Sequence, residues 1–307
     1  MATTSIKQRF TSASMLMKII YINIAVFIAI RLAAIVCILF NIDVQSMESV
    51  VALPHSFSLL AYRPWTAITY MFAHYDVLHI LFNMLWLYWF GRIFLFSSTP
   101  KQMVVLYFYG GLAGGLLYIL AYSYLPYFVG KSALLIGASA SIMAIVVAAA
   151  IRHHDYNLRL LFIGNVQLKW IAIVTIAIDL LSVTDVNSGG HIAHIGGAIM
   201  GAIYALALNR GTDITRHVNA AIDSIASLFS RDRVSKPRRV KKPKASKEPK
   251  KSAEKETPKA TATADDTDNK ADQAELDAIL DKVKRSGYSG LTAEEKKRLF
   301  DVSKRIK

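Results

Sequence analysis

Four polar side chains lie in apolar stretches of this 307-residue chain and could together perform acyl-transfer chemistry. A serine hydroxyl becomes a nucleophile when a base takes its proton, and Ser139 and His194 are of the types that form such a pair. His79, Asn83 and the backbone N–H of Ser139 are donors that could stabilise the oxyanion of a tetrahedral intermediate. These residue types predict a hydrolytic site if the chain brings them together.

These four residues lie in an apolar block, which is followed by a charged tail. Residues 1–209 hold 11 Lys/Arg and 6 Asp/Glu, whereas residues 210–307 hold 25 Lys/Arg and 16 Asp/Glu. With 53% hydrophobic and only 19% charged residues, the composition excludes an ordinary soluble globule. Because the net charge of +14 is concentrated in the tail, it is not a sign of nucleic-acid binding. The single cysteine, Cys37, excludes an intramolecular disulfide framework.

Six apolar stretches of the block have, or approach, the length that crosses a bilayer. They are predicted at 18–41, 76–97, 102–126, 133–151, 169–184 and 191–209. The segment 42–75 carries prolines and amphipathic aromatic residues, which is typical of a loop in the membrane interface. The expected fold is therefore an all-α membrane protein with six transmembrane helices.

The distribution of Lys and Arg predicts the orientation of these helices. With a cytoplasmic N-terminus, the outside segments carry only Arg63 and Lys131, and the charged tail lies in the cytoplasm. The second, fourth and sixth helices then run from outside to inside. The depth of each side chain follows from its distance along the helix; Ser139, for example, lies six residues below a helix start at Ala133. By this count the four candidate side chains fall in one layer near the outer third of the membrane.

Small residues predict that the helices of this layer approach closely. Gly197 and Gly201 form a small-xxx-small ridge on the sixth helix, and Ala140, Ala144 and Ala148 have the same spacing on the fourth. The polar layer could also be a metal site or a proton pathway. Serine and asparagine are poor ligands for transition metals, and no carboxylate is expected in the layer, so we expect neither a metal nor a cofactor.

At these residues the sequence resembles the rhomboid family of intramembrane serine proteases, in its bacterial six-helix type with a cytoplasmic tail. The resemblance covers about residues 15–209. Three motifs carry it, in this order along the second, fourth and sixth helices: His74-x-x-x-x-His79-x-x-x-Asn83, Gly137-x-Ser139 and Ala193-His194-x-x-Gly197-x-x-x-Gly201.

The resemblance implies a role for each polar residue. Ser139 would be the nucleophile and His194 its base, a dyad without a third carboxylate. His79, Asn83 and the N–H of Ser139 would form the oxyanion hole, and His74 would be a structural hydrogen-bonding residue. The first loop would dip into the membrane, and the substrates would be transmembrane segments of membrane proteins, cleaved by a serine-type endopeptidase in the bacterial inner membrane with both termini cytoplasmic.

The residues that would shape the site without reacting are Gly137, Ala140, Met143, Gly197 and Gly201. Three positions depart from the family pattern. Ala140 stands where the family has glycine, Met143 where it often has an aromatic residue, and Thr66 where an arginine commonly follows Trp65. None of them removes a catalytic group. The alternative is a rhomboid-like adaptor that binds transmembrane helices without cleaving them, although such an adaptor would need neither Ser139 nor His194.

The predicted organisation has four parts: a cytoplasmic N-terminus at 1–17, the six-helix domain at 18–209, a basic disordered linker at 210–270 and a small helical hairpin at 271–307. The segment 231–251 holds 11 Lys/Arg, so it is expected either to lie against anionic lipid headgroups or to act as a solvated spacer. No nucleic-acid partner is expected, and the sequence does not indicate an oligomeric state. Thr292 and Glu295 have the spacing of a capping box.

Overall fold

The structure, a computed structural model, describes residues 6–160 and 164–229 and nine later positions, which are 279, 281–282, 291–292, 294–295 and 298–299. The chain divides into two compact units, Met1–Val234 and Ser235–Lys307. The basic segment 231–251 and most of the predicted C-terminal hairpin lie outside the described residues.

Helices make up most of the described part of the first unit. They are α1 Ile6–Ser12, α2 Met15–Leu39, α3 Val44–Val51, α4 Phe57–Tyr62, α5 Thr66–Thr69, a 3-10 helix Tyr70–Phe72, α6 Val77–Phe94, α7 Pro100–Tyr124, α8 Ser139–Arg152, α9 Leu168–Leu181, α10 Ser188–Asn209 and α11 Arg216–Phe229. Two small antiparallel pairs accompany them: β1 Leu53–Pro54 with β2 Leu134–Leu135, in which Leu53 lies opposite Leu135, and β3 Asn157–Leu160 with β4 Gly164–Gln167.

Four helices are long and apolar enough to cross a membrane, namely α2, α6, α7 and α10. The predicted fourth and fifth crossings correspond to α8 and α9, which have 14 residues each. Fourteen residues rise about 21 Å, less than the roughly 30 Å of a bilayer's hydrocarbon core. Length and composition therefore support a membrane protein with four candidate spans, and six spans remain a prediction.

The start of α8 is a correction to the sequence prediction. The stretch 133–151 was expected to be helical throughout, but Leu134–Leu135 pairs with β1 as a strand and Gly137 has a φ of +113°. An extended segment and a left-handed glycine cannot continue a helix, although their apolar neighbours resemble one in composition. Ser139 is consequently the first residue of α8 rather than a residue six positions inside it.

Helix α8 forms the centre of the bundle. All its residues from Ala140 to Ala150 are buried, and it packs against α6, α7 and α10. A β-carbon on Gly197 would lie 2.0 Å from the Ala140 carbonyl oxygen, and one on Gly201 would lie 2.2 Å from that of Ala144. The backbones of α8 and α10 thus touch along the ridge that the small-residue spacing predicts.

The segment after α10 is a second correction. Residues 210–270 were expected to be a disordered linker, but Arg216–Phe229 is helix α11. Asp213 anchors its start, because it accepts hydrogen bonds from the Thr215 N–H at 2.8 Å and from Gln102 Nε2 of α7 at 2.8 Å. Residues 210–229 contain no proline, so their composition permits this helix despite the high charge of the tail.

In the second unit, the described residues include the capping box. The Thr292 N–H donates to Glu295 Oε2 at 2.7 Å, and the Glu295 N–H donates to Thr292 Oγ1 at 3.3 Å. The prediction of reciprocal hydrogen bonds at this position is confirmed.

Candidate active site

One cavity of about 510 Å³ brings the predicted side chains together. Ser139 from α8, His194 from α10, and His79 and Asn83 from α6 all line it. The remaining wall is mostly apolar and includes Phe82, Trp86, Ile136, Ile142, Met143 and Ile178. A concave apolar pocket with a few converging polar groups is the usual form of a site that binds and transforms an apolar substrate.

Ser139 lies at the N-terminus of α8, where backbone donors are unused. The cap residue Ala138 has no side-chain hydrogen bond to the first turn. The first N–H groups of a helix have no partner within the helix, and together with the helix dipole they favour a negative charge nearby. The position combines a hydroxyl with donors aimed at the end of the helix, which suits an oxyanion.

His74 connects the segment before Ser139 to α6. It is completely buried, and its Nδ1 lies 3.2 Å from the Phe72 carbonyl oxygen. A carbonyl only accepts, so Nδ1 carries the proton and Nε2 accepts from Asn83 Nδ2 at 3.3 Å and from the Ala138 N–H at 3.4 Å. Burial, as the main cause, and the neighbouring His79, as the second, lower the pKa of His74 to about 4, so its ring is neutral at pH 7.

Gly137 and His79 pack against each other at the same end of the cavity. A β-carbon on Gly137 would lie 2.9 Å from His79 Cε1 and 3.0 Å from Nε2, and the φ of +113° disfavours any other residue. The backbone N–H of His79 is capped by Asp76 Oδ1 at 2.9 Å. The ring of His79 therefore lies directly beside the backbone that leads into Ser139.

A carboxylate also lines the cavity, and the expectation that none would lie in this layer is wrong. Asp179 of α9 is only 4% exposed, and its Oδ1 accepts from Nδ1 of both His191 and His194 at 2.8 Å. Counting residues along a helix gives depth but not the direction in which a side chain points. Thr175 and Asp179 lie four apart on one face of α9, and both line the cavity, so their spacing was an available signal.

Ser139 and His194 share the cavity without a direct bond in this structure. Among the described residues, no hydrogen bond joins the Ser139 hydroxyl to an imidazole nitrogen. Because Nδ1 of His194 is engaged by Asp179, Nε2 is the nitrogen left to accept a proton. Hydrogen bonds of catalytic groups often shorten only when substrate is bound.

Ala140 and Met143, which depart from the family pattern, are both buried. Met143 lines the cavity, where a thioether can pack against aromatic or imidazole faces. Ala140 is part of the contact between α8 and α10, since its carbonyl oxygen faces Gly197. Neither side chain replaces a polar group of the cavity.

The two halves of the first loop are joined by three side chains that bind successive backbone carbonyls at the end of α3. Arg63 donates to Ser49 O at 2.7 Å, Trp65 Nε1 to Val50 O at 2.8 Å and Thr69 Oγ1 to Val51 O at 2.8 Å. Thr66, where the family commonly has arginine, donates locally to the Arg63 carbonyl at 2.6 Å. The loop therefore has anchors of its own, and no sequence motif indicated these partners.

The part of the chain that forms this cavity is similar to known proteins. Residues 61–211 match the rhomboid domain family, and residues 266–305 match a family of unknown function, DUF6576. The chain is 31% identical over 160 residues to RHOMBOID-like protein 12, mitochondrial, of Arabidopsis thaliana, and the match covers 48% of this chain and 48% of that protein. The chain thus spans about half the length of this curated relative. Residues 61–211, which contain all three motifs, are therefore a rhomboid domain.

Proposed function

We propose that the chain is an intramembrane serine endopeptidase in which Ser139 is the nucleophile and His194 the base. The observation that carries the proposal is that Ser139 begins α8, at uncapped backbone donors, in the cavity that His194 also lines. A serine at an unused helix N-terminus with a neighbouring imidazole has both an activating base and a stabilised oxyanion.

The reaction would proceed in two halves. Ser139 Oγ attacks the scissile carbonyl carbon while His194 Nε2 takes its proton, and the imidazolium then protonates the leaving amine as the C–N bond breaks. Water releases the acyl group by the same path in reverse order. No metal or cofactor is required for either half.

The oxyanion would be held by the N–H of Ser139 with His79 and Asn83. The Ala138 N–H is already engaged by His74, which leaves the next donors of α8 for the substrate. Asn83 Nδ2 has two hydrogens, of which His74 accepts one, and the other can point into the cavity. His74 holds Asn83 and the Ala138 N–H in place and does not contact the substrate itself.

The bilayer would be crossed six times, with α8 and α9 as short crossings, of which α8 is buried among longer neighbours. The Lys/Arg distribution supports cytoplasmic termini. The location that we propose is a bacterial inner membrane. The substrates would be transmembrane segments of other membrane proteins, since the cavity wall is mostly apolar. The basic segment 231–251 would contact anionic headgroups, and no nucleic acid is involved.

The test is cleavage of a transmembrane reporter by the purified full-length chain. We expect Ser139→Ala and His194→Ala each to reduce the cleavage rate by at least about 10³-fold, because nucleophile and base act as a unit. Ser141→Ala is the matched control. Its hydroxyl is on the same helix, lies near Gly111 away from the cavity and has no hydrogen-bond partner, so cleavage should stay near the wild-type rate.

Equal cleavage by wild type, Ser139→Ala and His194→Ala would refute the proposal. Binding of the reporter by the wild type without any cleavage would instead favour the non-catalytic adaptor.

A further inference from the structure

We infer that Asp179 is a positioning residue for His194, so that this chain uses a Ser-His-Asp arrangement in place of a two-residue dyad. The inference rests on the proposed function, and it goes beyond what membership of the family implies. It names a third group, on α9, that would set the protonation pattern of the base.

The geometry of the hydrogen bonds defines the role. Asp179 Oδ1 lies 2.8 Å from Nδ1 of His194 and 2.8 Å from Nδ1 of His191. A carboxylate oxygen only accepts, so Nδ1 of each imidazole carries a proton, and in a neutral ring the free lone pair is then on Nε2. For His194, which lines the cavity with Ser139, this is the tautomer that a general base requires.

Burial makes the two histidines depend on the Asp179 carboxylate for their hydrogen bonds. The Asp179 side chain is 5% exposed and each histidine side chain is 20% exposed, so water does not replace the missing partner if the carboxylate is removed. His191 does not line the cavity, and its N–H is a second donor that holds the carboxylate in place. The three side chains form one unit across the contact between α9 and α10.

The carboxylate would act without taking a proton itself. When Ser139 Oγ bonds to the scissile carbon, its proton moves to His194 Nε2, and the Nδ1 proton stays on the ring, hydrogen-bonded to Asp179. The negative charge then offsets the positive charge of the imidazolium in a water-poor site. When the C–N bond breaks, the Nε2 proton passes to the leaving nitrogen and the ring returns to its starting state.

The same three side chains could hold a metal ion, since their ligand atoms lie within 4.8 Å of one another. The hydrogen-bonded arrangement is favoured because both Nδ1 atoms lie at hydrogen-bond distance from one shared oxygen. A metal ion on His194 Nδ1 would also lie on the opposite side of the ring from Nε2, the nitrogen that accepts the Ser139 proton. The metal arrangement is one outcome of the test below.

The test measures kcat and KM for the transmembrane reporter with the full-length chain and three variants. We expect Asp179→Asn to reduce kcat by at least about 100-fold with KM changed less than about 3-fold, because the amide can donate to Nδ1 and impose the wrong tautomer. Asp179→Glu restores the carboxylate and should recover at least a tenth of the wild-type kcat. Asp185→Asn removes an exposed carboxylate of the following turn and should match the wild type.

A spectroscopic readout covers the case in which Asp179→Asn does not fold. In wild-type protein labelled with ¹⁵N-histidine, with the His194 signals assigned by their loss in His194→Ala, we expect the Nδ1–H tautomer at neutral pH. An Nε2–H tautomer of His194 would overturn the inference. So would a folded Asp179→Asn variant with a wild-type kcat, or wild-type activity that a chelator abolishes and zinc restores. If Ser139→Ala is inactive while Asp179→Asn is not, only the role of Asp179 fails and the proposed function stands.

Discussion

Gly197→Ala is expected to separate α10 from α8 and to reduce cleavage of a transmembrane reporter by at least about 100-fold. The added methyl group would lie 2.0 Å from the Ala140 carbonyl oxygen and 2.8 Å from its carbon, and backbone atoms cannot rotate away. Overpacking of this kind costs about 1–3 kcal/mol or more. Since His194 is one turn before Gly197 and Ser139 precedes Ala140, a shift of either helix misaligns the reacting pair.

The measurement combines thermal unfolding in detergent with the cleavage rate. Gly91→Ala of α6 is the matched control, because the nearest atom to its added methyl group is the end of the flexible Leu16 side chain, at 2.7 Å. We expect that variant to keep most of its stability and activity. A Gly197→Ala protein with the wild-type melting temperature and rate would show that the helices do not touch as described.

His74→Ala is expected to destabilise the fold and to disorder the approach to Ser139. It removes the acceptor of the Asn83 amide and of the Ala138 N–H, and the donor to the Phe72 carbonyl, all in a buried place. Each buried polar group left without a partner costs about 1–3 kcal/mol. We therefore expect a lower melting temperature and a fall in kcat larger than the change in KM.

The same residue predicts a pH dependence. Unfolding restores an ordinary histidine pKa, whereas burial holds the pKa of folded His74 at about 4, so between these values the unfolded chain binds more protons. Stability therefore falls as the pH is lowered from about 7 towards 4, by roughly 3 kcal/mol from this group. His74→Ala should lack this component, and the exposed His154→Ala should keep it. Parallel pH–stability curves for wild type and His74→Ala would contradict the assignment.

The sequence could predict which residues meet at the site because each motif lies on a different helix. The polar residues of α6, α8 and α10 are rare in otherwise apolar segments, and the small-residue ridge predicted which helices touch. Hydropathy could not locate the start of α8, because Leu134 and Leu135 are as apolar in a strand as in a helix. The positive φ of Gly137, which ends the extended segment, is likewise not recorded in hydropathy.

Asp179 was the most consequential residue that the sequence left unassigned. Its depth on a short helix was uncertain, and depth alone could not indicate that it faces His194 rather than lipid. Likewise, α11 was hidden within a charged tail because its amphipathic pattern contributes little to composition. Both features depend on the face that a helix presents, which composition and hydropathy do not record.

Covalent labelling can show whether Ser139 is an activated nucleophile. Membranes that contain the full-length chain are treated with a fluorophosphonate probe, and the modified residue is identified by mass spectrometry. We expect label on Ser139 in the wild type and in Ser141→Ala, and loss of label in Ser139→Ala and His194→Ala. A folded wild-type protein that carries no label on Ser139, or that labels equally well without His194, would contradict this expectation.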